Sequence, residues 1–249
     1  RERVRSIARS AVPRRRGRVV VARTLDEFRA ALRDDVVDAA VVDLGAPGDA
    51  STHAACVARD YPSVAFVGIA PFRAADAPRI AERALLELAD VLAEGIDDAL
   101  LRPLVAARGF SARFALALRE PPPTLGLDSP LQRSAWRAIC AHAGRAVRSS
   151  ALSSWLGVTR EHLSRSFSSA GVVNLKRAMD LVRVLAAAEL AKNPGYDTRD
   201  VARVLGFASV AHLSRAATRT AGATASSLSR LRGVDLLDRF AKGRGRSRG

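Results

Sequence analysis

The stretch DTRDVARVLGFASVAHLSRAATRTAG, residues 197–222, decides the reading of this chain. Thr198 can cap a first helix over 199–205, and Gly206 breaks it, because glycine adopts the left-handed conformation of a helix end cheaply. Ser209 can then cap a second helix over 210–220. At helical spacing Leu213, Ala216 and Ala217 fall on one face, and Ala211, Ser214, Arg215 and Thr218 on the other. Two short amphipathic helices meeting at a glycine turn predict a helix-turn-helix.

The pattern occurs twice. His212-Leu213-Ser214-Arg215 repeats His162-Leu163-Ser164-Arg165 word for word, Leu205-Gly206 matches Leu156-Gly157, and Ala221-Gly222 matches Ala170-Gly171. Flanking matches in the same order indicate a duplicated unit rather than a four-residue coincidence. In the earlier copy SALSSWL (150–156) forms the first helix, Gly157 ends it, and Thr159 caps REHLSRSFSSA (160–170). Leu163 and Phe167 face inward there, while Glu161, Ser164, Arg165 and Ser168 face outward. Between the copies, 174–193 is apolar at helical spacing and ends at Pro194-Gly195. A helix of about nineteen residues is a rod near 28 Å, approaching the ~34 Å repeat of B-DNA. Such a rod could hold both second helices in successive major grooves, reading elements about 10 base pairs apart without a dimer.

Charge points the same way. The 40 basic and 25 acidic residues leave +15, and all but three of the basic side chains are arginine. Residues 121–249 carry 21 basic against 8 acidic side chains, whereas 19–120 carry 11 against 16. An arginine-rich composition acting everywhere would not leave the middle of the chain acidic, so a polyanion bound by the second half is the better reading. The tract Pro121-Pro122-Pro123 places a linker at 119–130, with a basic arm (1–17) and a basic tail (233–249, its end disordered) at the extremes.

Residues 18–118 read as an α/β domain. Strands are predicted at 18–22, 38–44, 63–69 and 90–94, alternating with helices at 25–34, 53–61, 78–89 and 97–108. Near-continuously apolar strands between amphipathic helices indicate a small parallel, flavodoxin-like sheet. The fold class is thus an α/β domain followed by an all-α domain with two helix-turn-helix units joined by a long helix.

Little here suggests an enzyme, a metal site or a cofactor. There is no G-x-S-x-G elbow, Walker A loop or G-x-G-x-x-G, and the His53/Cys56 pair has no second pair of ligands, so packing is its simpler reading. Two cysteines, Cys56 and Cys140, make no disulfide framework, which suits a reducing cytoplasm. No stretch is apolar enough for a membrane span. The first eighteen residues lack a signal peptide's apolar core, though they could mimic a transit peptide. A chain opening on Arg1 is expected to have a missing or trimmed start.

On these residues, 131–232 resembles the DNA-binding domain of AraC-type (AraC/XylS) transcription regulators. Ala202, Gly206, Phe207, Leu213, Arg215 and Gly222 match that family's pattern, as do Leu156, Gly157, Leu163, Ser164, Arg165, Phe167 and Gly171, with 131–144 as the preceding helix. Ala217 departs where a second aromatic is usual, and Ala225 where a proline is; both imply a looser second core. Val210 and Ala211 stand where polar base-contacting residues are common, so the first unit would read more of the sequence. Residues 18–118 resemble a degenerate response-regulator receiver: Asp43 ends a strand as its phosphoacceptor would, but Arg23 and Thr24 replace the acidic pair, and residues 1–120 hold no lysine. Without those groups Asp43 is expected to cap its strand or the following turn.

The resemblance implies a bacterial, cytoplasmic (nucleoid) regulator that binds double-stranded promoter DNA and recruits or blocks RNA polymerase. The first domain would sense an unidentified effector, or form a homodimer. Arg165 and Arg215 are the candidates to meet guanine O6 and N7, and Glu161 to accept from a cytosine amino group. Arg160, Ser164 and Ser168, with Val210, Ala211 and Ser214 opposite, complete the two reading faces; Arg148, Lys176, Arg177 and Arg219 suit phosphates. His162 and His212 suit packing or phosphate contact. A weakly specific nucleoid-associated protein and a phosphorylated response regulator are the alternatives.

Overall fold

A computed structural model describes residues 1–249 except 13–16, 85–87, 170 and 247–249. The chain divides into two units, Arg1–Arg113 with Asn193–Gly195 and Phe114–Lys192 with Tyr196–Gly249.

The first unit is built on three parallel strands, β1 (Ala39–Asp43), β2 (Ala65–Ala70) and β3 (Asp90–Ala93), in the order β1-β2-β3. Ala39 pairs with Ala65 and Asp43 with Ile69; Val67 pairs with Asp90 and Ala70 with Ala93. Every residue of β2 is buried, as a central strand covered on both faces requires. Around the sheet lie helices α1 (Glu2–Ala11), α2 (Leu25–Asp34), α3 (Ala50–Cys56), α4 (Ala77–Ala84) and α5 (Leu101–Arg108), followed by α6 (Phe110–Ala117). Thr24 caps α2 by accepting from the Glu27 amide at 3.1 Å, and Phe28 on that helix meets Phe66 edge to face at 5.9 Å.

Two expectations change here. Residues 1–11 are not an arm but α1, whose Val4, Ile7, Ala8 and Ala11 are buried against Val67, Ile69, Leu92 and Leu101. Their i, i+3, i+4, i+7 spacing gives one apolar stripe, and that stripe outweighs the arginines on the opposite face. The predicted strand at 18–22 lies outside the sheet, with Val20 56% and Val21 37% exposed. Its β-branched residues favour extended backbone, but a strand forms only where a neighbour completes the hydrogen-bond ladder. DVLAE is therefore the third strand rather than the fourth.

The second unit is helical: α7 (Pro130–Ala141), α8 (Ser149–Trp155), α9 (Arg160–Ser166), α10 (Leu175–Leu190), α11 (Thr198–Val204), α12 (Val210–Ala221) and α13 (Gly233–Arg246). Ser129 and Gln132 close a capping box around Pro130 at the start of α7, and Trp136, fully buried, donates to the Leu118 carbonyl at 2.7 Å. α10 is the central strut, with nine of its sixteen residues buried.

Three segments differ from expectation. The stretch 119–130 is not a free linker: Leu125 and Leu127 are buried, and the Val173 amide donates to the Leu125 carbonyl at 2.9 Å. α10 begins at the Asn174 cap and ends at Leu190, giving a rod of about 24 Å rather than 28 Å. Residues 233–246 are helix, with Leu236 and Phe240 buried, and this takes in 241–246 of the stretch 241–249 expected to be disordered, the rest lying outside the described residues.

Candidate nucleic-acid interface

Each glycine turn is made as its residues dictate. Gly157 and Gly206 both adopt φ +66°, in the left-handed region where a side chain would be strained. Thr159 and Ser209 then cap α9 and α12, each hydroxyl accepting from the amide of the third residue on, His162 or His212, at 3.1 Å. Asp197 and Asp200 add a capping box at the start of α11. Leu163 and Leu213, the repeated leucines, are both completely buried and fix the inward face of their helices.

Burying those leucines turns the repeated arginines out. Arg165 and Arg215 are exposed, and among the described residues neither guanidinium is engaged in an ion pair or hydrogen bond. Arg160, Glu161 and Ser164 are exposed on α9, and Ser168, exposed just beyond its end, donates its hydroxyl to the Ser164 carbonyl at 2.9 Å. Ser166 likewise donates to the Leu163 carbonyl, and these local bonds accompany the end of α9 at Ser166, short of the predicted 170, itself outside the described residues. On α12, Ala211 is exposed while Val210 and Ser214 are half-buried. The two helices therefore offer different surfaces, a polar one on α9 and a sparser one on α12.

The residues assigned to phosphates separate into two groups. Arg148 and Lys176 are exposed. Arg177 lies over the Phe240 ring at 5.1 Å, and Arg219 is 2.7 Å from the Asp180 carboxylate, so both are tied to neighbouring helices. His212 packs edge to face on Phe207 at 5.4 Å.

Sequence reasoning missed Arg183. Its guanidinium sits 3.9 Å over the Phe207 ring and donates to the Leu205 carbonyl at 3.0 Å, across the second turn. Burial pushes its pKa below the usual arginine value, with Asp180 pulling the other way. The available signal was one arginine inside the apolar run Leu181–Leu190. Gln132 was missed too: it is buried and donates to the Ser166 carbonyl at 2.6 Å, holding the end of α9 from α7.

In the first unit Asp43 ends β1, and its carboxylate is engaged by Arg1, whose Nη2 stands 2.7 Å from Asp43 and 2.6 Å from Glu94. Burial alone would raise the Asp43 pKa, but the hydrogen bonds and charge of Arg1 outweigh it and hold the carboxyl below its ordinary value. The Gly45 amide also donates to Asp43 at 3.1 Å, and a Cβ at Gly45 would stand 2.7 Å from the Arg1 guanidinium. His53 and Cys56 are both exposed on α3, and burial pushes the Cys140 thiol up to about 12. No helix among the described residues is long and apolar enough to cross a membrane.

Compared with known proteins, residues 152–230 match the family model described as a helix-turn-helix domain. That match runs from within α8 through most of the turn before α13, and so contains both glycine turns and both arginine-bearing helices. The match spans less than half of the chain and is a likeness of this region to helix-turn-helix domains. No curated protein and no solved structure matches the chain.

Proposed function

We propose that the protein is a sequence-specific regulator whose α9 and α12 read two successive major grooves of one promoter site. The observation that supports this most is the pair of exposed, unengaged guanidinia at Arg165 and Arg215, each set by a fully buried leucine two residues earlier. Arginine meets guanine O6 and N7 bidentately, and one such contact discriminates by about 1–3 kcal/mol. Glu161, Arg160, Ser164 and Ser168 give α9 the larger share of base reading, with Val210, Ala211 and Ser214 on α12 limited to methyl or single hydrogen-bond contacts. Arg148 and Lys176 hold phosphates and set the register. The first unit acts as the regulatory or dimerising part, in a receiver-like role, and bound protein recruits or blocks RNA polymerase.

Selection of sites from random duplex DNA by the 249-residue chain tests the reading at near-physiological salt. Two enriched elements about one helical turn apart are expected. Binding that enriches nothing and falls steeply with salt would replace it with charge-driven, weakly specific packing of DNA.

A further inference from the structure

α10 carries two polar side chains one turn apart, Asp180 and Arg183, and both reach the second helix-turn-helix. Asp180 pairs with Arg219 near the end of α12 at 2.7 Å. Arg183 donates to the carbonyl of Leu205, the last residue before the Gly206 turn, and covers the Phe207 ring, which in turn packs at right angles to His212 on the first turn of α12. A continuous set of contacts thus runs from the strut, through the turn, to the start of the recognition helix, with a second tie near that helix's end.

The arrangement is costly for a purely structural contact. The Arg183 side chain is half-buried, its Nε has no hydrogen-bond partner, and among the described residues no carboxylate pairs with it directly. A partly buried guanidinium without a full set of partners loses some hydration that an apolar side chain of similar size would not need. What it provides is direction: a planar fork fixed on a carbonyl and stacked on a ring has one orientation. In the first helix-turn-helix Val158 follows the turn glycine where Phe207 follows it in the second, and no arginine–aromatic stack is found there among the described residues. The end of α9 is held instead by Gln132 from α7.

We infer that Arg183, assisted by Asp180, is a positioning residue that sets the angle of α12 against α10 and thereby the base preference of the second unit alone. This rests on the two-groove reading proposed above. It deepens that reading by assigning the second element's selectivity to a residue that touches no DNA.

The test compares the full chain with Arg183→Gln and Arg183→Lys in site selection, thermal melting, and NMR of the histidine ring protons. For Arg183→Gln, preference at the element read by α12 should fall roughly tenfold, the size of one lost base contact, while the first element is unchanged. The His212 ring resonances should move and those of His162 stay. Arg183→Lys, which keeps the charge but lacks the fork, should restore only part of the preference. A variant that melts lower yet keeps both preferences and an unmoved His212 signal would overturn the inference. Should Arg183→Gln fail to fold, Asp180→Asn takes its place, with a smaller loss confined to the second element expected and an unchanged second element overturning it. If the unaltered chain selects no second element, the two-groove reading fails, and the His212 signal still decides whether Arg183 positions α12.

Discussion

The two helix-turn-helix units share a four-residue word, a glycine turn at the same φ and a hydroxyl cap at the same distance, yet their exposed faces and their attachments differ. α9 has seven residues, a densely polar exposed face and a hold at its end from Gln132. α12 has twelve residues and an N-terminal turn opening on Val210 and Ala211, and is tied to α10 by Asp180–Arg219 and through Arg183. The first copy presents more chemistry to a base edge, and the second is more firmly anchored. The two copies thus differ in surface and in attachment while sharing their turns and caps.

Four measurements would break or sharpen that contrast. Leu163→Ala and Leu213→Ala should each cost about 2–5 kcal/mol in chemical denaturation, because both side chains are completely buried. If the anchored unit also tolerates more, Leu213→Ala will lie at the lower end of that range, and the reverse order would break the comparison. Next come the two arginines. Arg165→Ala should weaken binding to the selected site by about 1–3 kcal/mol and relax the first element only, and Arg215→Ala should do the same at the second. Equal relaxation of both elements by either variant would show that the units do not read independently.

A smaller effect concerns α8, whose N-cap residue, Arg148, offers no side-chain cap, whereas α11 has the full Asp197/Asp200 box. Arg148→Ser should therefore stabilise the protein by about 0.5–1 kcal/mol while reducing affinity and the salt slope of binding. Unchanged affinity would remove Arg148 from the phosphate contacts.

The smallest effect lies outside both units and serves as their control. Asp43 has a folded pKa below its unfolded value, so its contribution to stability is complete above the unfolded value of about 3.9. It is lost as pH falls through the lower folded value. Arg1→Ala should therefore destabilise the chain at pH 7 and match the unaltered chain in strong acid, with both DNA elements selected as before. Urea titrations at the two pH values check the first part. A constant difference between them would mean that Arg1 acts by packing instead.

Much of the second unit was legible because its signals are local. Gly157, Gly206, Thr159 and Ser209 fix turns and caps through their own backbone and hydroxyl chemistry, and the leucine–arginine spacing fixes which face is buried. α1 was equally readable from Val4, Ile7, Ala8 and Ala11, but the eight arginines of the first eighteen residues drew attention to charge over periodicity. The strand predicted at 18–22 shows the opposite limit. Val19-Val20-Val21 states a backbone preference, while membership of a sheet depends on a partner far away in sequence. Arg183 and Gln132 were hidden for the same reason, since their roles depend on a carbonyl 22 or 34 residues distant. Asp43 was placed correctly at a strand end, but its partner Arg1 could not be named from spacing.

The scarcity of lysine gives the molecule a built-in labelling pattern. Its three side-chain amines, Lys176, Lys192 and Lys242, all belong to the second unit, and the first two flank α10 at its opposite ends. Amine-directed reagents will leave every side chain of the first unit untouched. A dye pair on Lys176 and Lys192 would serve as a molecular ruler along the strut, reporting any bending when DNA binds. Acylation would erase positive charge at three known points while every arginine keeps its own.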